Sequence, residues 1–575
     1  MADLVRMKAR RFCFAGALLA ALAGGALAAE EAADILLLRG RVWTGEAEKP
    51  WAEAVAVGGG RILAVGRTSE VEAFRGPRTE VIHLGGRLVL PGFIDGHSHV
   101  LDGSMSLGRV DLTDLRDLSA IHGRIKEWIR AHPREPWVTG GGWAYASFPG
   151  GLPTRQQLDA VVRDRPALIE SYDGHSAWAN SKALALAGIT KATKDPRNGV
   201  VVRDPRTGEP TGALKEAAVD LVKLKVPEPG PAEKYQGLLK GLRLLNSLGI
   251  TSVQDAGLLS STDDVEGDLA LFDRARREGR LSVRVSAALR VEPGRVRAGI
   301  ALAKKLASLY RDPFLRVVGV KLFVDGVVEA RTASMLEPYV DDTSSGLPNW
   351  SPEALNEAVT LADGEGLQAW LHAIGDRGVR MALDAHEAAL RANGRLDRRG
   401  RIEHLETVQA ADFPRFKPLG VIASMQPLHA NPDPNILEVW AGNVGEDRAS
   451  RAWHWAAFEK AGARLAFGSD WPVVAPSVFR GLYCAVTRKT KEGTPPSGWL
   501  PEAAVSLESA LRHYTIDAAY ASFEEAEKGS LAPGKRADLV VVTEDLFKGA
   551  PETILRARVL LTLVDGKPVH RDPAF

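Results

Sequence analysis

The chain has 575 residues, of which 45% are hydrophobic and 25% charged, with 73 basic and 72 acidic side chains. That length exceeds one ordinary domain, and the composition excludes a disordered chain or a multi-span membrane protein. The near balance of charge leaves no electrostatic footprint for nucleic acid or an anionic membrane surface.

In chain order, the first segment reads as an export signal. Arg6, Lys8, Arg10 and Arg11 form a basic start, Phe12 to Leu27 is apolar, and Ala26-Leu27-Ala28 supplies a small-x-small cleavage site. Residues 1–28 are therefore taken as a signal peptide, because the apolar run is shorter than the ~20 residues of a membrane-spanning helix. Arg10-Arg11 leaves the general and twin-arginine export routes both open. Cleavage removes four basic residues and one acid, leaving 69 and 71. The expected product is periplasmic or secreted and has no membrane anchor. Cys13 departs with the signal and Cys484 remains alone, so neither an intramolecular disulfide nor a cysteine-built zinc site is available.

From residue 29 to 90 the pattern is short and β-like: Ile35–Leu38, Arg41–Thr44, Ala54–Val57, Arg61–Val65 and Glu80–Leu84, separated by glycine-containing turns. The same texture returns over residues 529–575, in Leu539–Val542 and Arg558–Val564. The two pieces are expected to form one small β-sandwich domain built from both termini. Between them, residues 91–528 alternate apolar strands with amphipathic helices. The strands are Leu88–Ile94, Thr251–Gln254, Ser282–Leu289, Val317–Val324, Leu367–Leu371, Arg401–His404, Val421–Met425 and Arg464–Gly468. Helices such as Glu353–Glu365, Val379–Leu390 and Ser506–Tyr514 fall between them. Eight such strands predict an α/β fold, a TIM (β/α)8 barrel. The first crossover is too long, and residues 100–249 are read as an insertion of helices and loops over the barrel mouth.

Chemistry gathers where these strands end. Pro91-Gly-Phe-Ile-Asp-Gly-His97-Ser-His99 runs an apolar strand into two histidines spaced by two, which in extended backbone face the same side. His372 ends Leu367–Leu371, His404 ends Arg401–Glu403, and Asp470 follows Leu465–Ser469. A buried structural histidine explains any one of these placements but explains four together poorly. Neutral imidazoles with a carboxylate form a ligand set that suits zinc or a similar divalent ion. Lys321 lies inside the apolar Val317–Val324, where an ammonium needs either a carboxylate such as Asp325 or chemical conversion.

Taken together and in order, PGFIDGHSH, VKLFVDG, LHAIGD, RIEHLE, FGSDWPV and GSLAPGKRADLVVV resemble the amidohydrolase superfamily, specifically amidohydrolase family 3 with its N-substituted formamide deformylases. The similarity spans about residues 34 to 570. It implies a TIM barrel with a two-ended β-sandwich and one or two divalent ions, zinc being the expected metal. It further implies His97 and His99 as ligands of a first ion, N-carboxylated Lys321 as a bridge, and His372 and His404 as ligands of a second. Asp470 is implied as metal neighbour and general acid–base group. Asp95, Glu403 and Asp376 are candidates to hold the imidazoles. Trp143, His175, Trp178 and Arg331 are candidate substrate contacts, with core packing the equal alternative for each tryptophan, and His429, just past the seventh strand, takes a structural reading but is the remaining histidine to revisit. The implied activity is hydrolysis of a non-peptide C–N bond in a small amide, formamide or cyclic amide. A lactonase or esterase on the same metals and a non-catalytic exported binding protein are the alternatives. The partners expected are a small-molecule substrate and, as an open option, a second copy of the chain.

Overall fold

The computed structural model describes residues 32–257 and 264–575, so the signal peptide expected at residues 1–28 lies outside the described residues. Eight parallel strands form the barrel: Phe93–Ser98, Ile250–Ala256, Arg284–Arg290, Leu315–Phe323, Gln368–Ala373, Arg401–His404, Ile422–Met425 and Arg464–Phe467. Their pairing runs in chain order from first to eighth. The ring closes beyond the ladder, where Ser98 bridges Trp471 and the Asp470 amide donates to the His97 carbonyl at 2.6 Å. Glycine makes that closure sterically possible. A Cβ on Gly96 would stand 2.7 Å from the Phe467 carbonyl oxygen, and one on Gly468 would stand 2.3 Å from the His97 nitrogen.

Helices such as Pro352–Gly364 and Asp376–Asn393 cover the outside, burying Leu355, Val359, Val379 and Leu383 against the strands. The barrel interior is partly polar. Arg401, fully buried, donates to Glu403, Ser424 and the Gly96 carbonyl while lying 3.9 Å over the Trp370 ring.

Two features differ from the expectation. The single strand predicted over Leu88–Ile94 is two strands, Leu88–Pro91 and Phe93–Ser98, parted by Gly92. The first pairs with Leu539–Val542 of the smaller domain and the second with barrel strand Ile250–Ala256. A Cβ at Gly92 would meet Thr251 at 2.4 Å, which is why only glycine fits the junction. The insertion, expected to hold helices and loops, contains a six-stranded mixed sheet ordered Gly199–Arg203, Pro210–Glu216, Ser176–Ala179, Ala167–Ser171, Val138–Trp143, Val110–Asp111. Its strands are short and glycine-interrupted, and they pair over long separations, as Val138 does with Ala167, so they carry little local periodicity. Helix Pro231–Ser247, also inside the expected insertion, packs Leu238, Leu242 and Leu245 into the barrel core.

The smaller domain is a sandwich. One sheet orders Arg61–Gly66, Ala54–Gly58, Ile35–Leu38 and Glu80–His83. The other joins Lys567–Arg571, Val559–Val564 and Leu539–Val542 to Leu88–Pro91, Arg41–Trp43 and Trp51–Ala52. Ile35, Leu37, Val55 and Val57 of the first sheet meet Val89, Leu539, Val541 and Leu561 of the second in one apolar core.

Candidate metal centre

The C-terminal ends of the barrel strands converge on one carboxylate. Asp470 Oδ1 lies 3.1 Å from His99 Nε2 and 3.3 Å from His97 Nε2, and its Oδ2 lies 3.7 Å from His429 Nε2 and 3.8 Å from His404 Nδ1. The backbone there is tightly held. His404 and Asp470 have φ of 76° and 61°, a left-handed conformation uncommon for residues other than glycine. Asp95 anchors the eighth-strand loop by accepting from the Ser469 amide at 2.8 Å and the Ser469 hydroxyl at 2.5 Å.

Two ligand groups result: His97, His99 and Asp470, and His404, His429 and Asp470. Their chemistry fits a divalent ion. The Glu403 carboxylate holds His97 Nδ1 at 2.5 Å, leaving Nε2 turned toward Asp470, a carboxylate–imidazole arrangement common behind metal ligands. Asp470 Oδ1 and His429 Nε2 are buried without a hydrogen-bond partner. Burial, reinforced by the neighbouring cations, keeps His404 and His372 neutral, and burial pushes His429 down to about 4. Neutral imidazole is the ligating form. Burial opposes ionisation of Asp470, but the imidazoles of His97 and His99 hold its carboxyl well below the usual range.

Lys321 is fully buried in the fourth strand, and its Nζ is 3.3 Å from His97 Nε2. Burial lowers its pKa to about 8 against the attraction of Glu403. Asp325 is not its partner, because that carboxylate accepts from the backbone amides of Ser334, Ile374 and Gly375. His372 stands beside the centre, with its ring 4.5 Å from His404, but its Nε2 faces the Gly326 carbonyl at 3.2 Å and not Asp470. Asp376, proposed to support an imidazole, instead accepts from the Leu336 amide and the Gln409 side chain.

The centre opens into a chamber of about 360 Å³ lined by His372, His404, His429 and Asp470 on one side and by Tyr172, Asp173, His175, Glu329, Glu406 and Trp453 on the other. An outer vestibule of about 600 Å³ shares Tyr172, His429, Ile436 and Val473 with it. His175 reaches the chamber with its ring 5.7 Å from His372. Burial works against its charge, but Glu216 at 2.9 Å and Asp173 raise its pKa to about 9.

Three expected substrate contacts lie elsewhere. Trp143 and Trp178 are fully buried in the core of the insertion sheet, and their indole N–H groups donate to the carbonyls of Ile169 and Thr154. Arg331 turns outward to Asn443 and Asp342. The insertion reaches the chamber through Tyr172, Asp173 and His175 instead. His429, expected to be structural but the histidine to revisit, joins His404 and Asp470 here. Its signal was its place, four residues past the seventh strand, at the same end of the barrel as the other histidines.

An eight-stranded barrel with imidazoles and a shared carboxylate at the C-terminal ends of its strands defines a metal-dependent hydrolase architecture. The chain belongs to the amidohydrolase family, whose model matches residues 80–570. It is 33% identical to Protein LONG AFTER FAR-RED 3 of Arabidopsis thaliana, over 94% of this chain and 92% of that one. It is 28% identical to the N-substituted formamide deformylase of Arthrobacter pascens, over 93% and 97%. An uncharacterized metal-dependent hydrolase from Pyrococcus furiosus superposes with a TM-score of 0.67 at 28% identity, covering 89% of this chain and all of that one.

Proposed function

We propose that the chain hydrolyses a non-peptide C–N bond in a small amide, formamide or cyclic amide. The observation that carries this reading is Asp470, one ionised carboxylate within 3.1–3.8 Å of four imidazoles from separate parts of the barrel rim. His97, His99, His404, His429 and Asp470 would hold one or two divalent ions, zinc by donor type, with the His372 ring beside His404. A bound ion lowers the pKa of water and polarises a carbonyl. Asp470 orients the attacking water, accepts its proton and returns it to the leaving nitrogen. His175, held cationic by Glu216, offers an N–H to the charge that develops on the carbonyl oxygen. Lys321 is proposed to be N-carboxylated, giving a negatively charged bridge in place of a cation beside the ions. Its burial and its 3.3 Å approach to His97 support this.

The likeness to an N-substituted formamide deformylase supports the amide reading. The test is a panel of formamides, N-acyl amino acids and lactones, assayed with and without chelator. Metal-dependent amide turnover is expected. Turnover of lactones alone would convert the assignment to an esterase, and none at all would leave a binding protein. We further propose a periplasmic or secreted location, on the strength of residues 1–28. Protein from its native host should begin at Ala29 or Glu30, and an intact Met1 on a membrane-bound form would refute it.

A further inference from the structure

The chamber has a second polar wall that the proposed reaction does not use. Asp173, Glu329 and Glu406 line it together, with Glu329 and Glu406 buried. Neutral donors hold all three. The Tyr145 hydroxyl and the His175 amide donate to Asp173, Tyr172 and Asn435 Nδ2 donate to Glu329, and the Trp440 indole donates to Glu406 at 2.6 Å. The cation facing this wall, His175, is hydrogen-bonded to Glu216 and lends its charge to Asp173 and Glu329 only from a distance. Ionised carboxylates collected in an enclosed space are costly, and the cost is relieved either by protonation or by a positive charge that joins them.

Two further groups point to what joins them. Asn435, which lines the outer vestibule, is 3% exposed, and its Nδ2 donates to Glu329 at 3.3 Å, which fixes the amide orientation and leaves Oδ1 as an acceptor without a donor. Trp453 is fully buried, lines the chamber, and has an indole N–H without an acceptor. Buried polar atoms are rarely left unsatisfied, so the pair asks for a ligand that supplies both N–H donors and an oxygen. Ionised carboxylates repel an anionic ligand, and both orphaned atoms disfavour a purely apolar one.

We propose that this wall binds a protonated amine carried on the part of the substrate that is not cleaved. The substrate class is then an amide that also bears a basic nitrogen, whose ammonium donates to Glu329 and Glu406. The assignment rests on the hydrolytic reading of the metal centre.

The test compares mono-N-formyl diaminoalkanes, from ethane to hexane, with N-formyl alkylamines that carry methyl in place of ammonium. For the metal-loaded protein, kcat/KM at the best chain length should favour the ammonium compound by about tenfold or more, as the loss of a buried charge partner predicts. Glu329→Gln should lower that ratio by a similar factor. A wild-type ratio of one or below overturns the proposal without recourse to any variant, as does a ratio that Glu329→Gln leaves unmoved. If neither series is hydrolysed, the formamide reading fails, and calorimetric titration decides the subsite separately. Tighter binding of alkylammonium than of the matching alcohol, abolished in Glu329→Gln, would sustain it, and equal binding would remove it.

Discussion

Asp470 touches four imidazoles but is asked to move a proton as well, and replacement by asparagine separates those two roles. Asp470→Asn keeps a metal-facing oxygen and loses basicity, so it should retain most of its metal while kcat falls about 10²–10⁴-fold. Metal content measured beside turnover decides the matter, and near-normal turnover would assign the proton to another group. Lys321 answers to a different measurement. Lys321→Ala should bind less metal, and reconstitution of the parent apo-protein should go faster with bicarbonate, because a carbamate forms from the neutral amine. A small carboxylic acid supplied in solution should restore part of the variant's activity, and unchanged metal content in the alanine form would refute the bridge. At this scale the ligands read from the sequence were those that end an apolar strand, as His97 and His404 do. His429 is harder to read because it sits in the short 3-10 helix Pro427–Ala430 beyond its strand, and a tryptophan beside glycines, such as Trp143, looks the same in a core and in a pocket.

The barrel elements were legible because each strand is an apolar run bounded by turn residues. Arg401–His404 and Leu539–Val542 stand where they were expected, to the residue. The insertion sheet was not legible, since its pairings join segments whose proximity no local pattern records. A polar plug beneath the barrel was equally silent. Glu524 pairs with Lys528 at 2.9 Å and with Arg316 at 3.1 Å, and Lys528 donates to Ser252 on the second strand. Burial raises the Glu524 pKa, yet Lys528 and Arg316 outweigh it and bring the carboxyl from 4.5 to about 2. A depressed carboxyl stabilises the fold above its unfolded value and loses that contribution as pH falls through its folded one. Glu524→Gln should therefore cost about 3 kcal/mol at pH 7, leaving two cations unpaired. The gap from the parent should narrow as pH falls from 4.5 toward 2. Denaturant midpoints at several pH values measure this, and a pH-independent gap would assign the loss to packing alone.

At the scale of the whole molecule, a charged cluster fastens the β-sandwich to the barrel. Arg284 on the third strand, 3% exposed at its side chain, pairs with Asp538 at 2.7 Å and Asp565 at 3.0 Å, both from the C-terminal segment. Among the described residues no helix is long and apolar enough to cross a membrane. The single glycine at position 92 has a wider meaning. Four residues upstream the chain is a central strand of the sandwich, and five residues downstream it is His97. One residue gives little slack, so the position of the sandwich strand and that of His97 are set together. Grafting this barrel onto a foreign accessory domain would require matching the strand on the other side of Gly92 to within a fraction of an ångström. The two domains are thus continuous through one residue, and an engineer seeking to exchange either would have to rebuild the Gly92 junction.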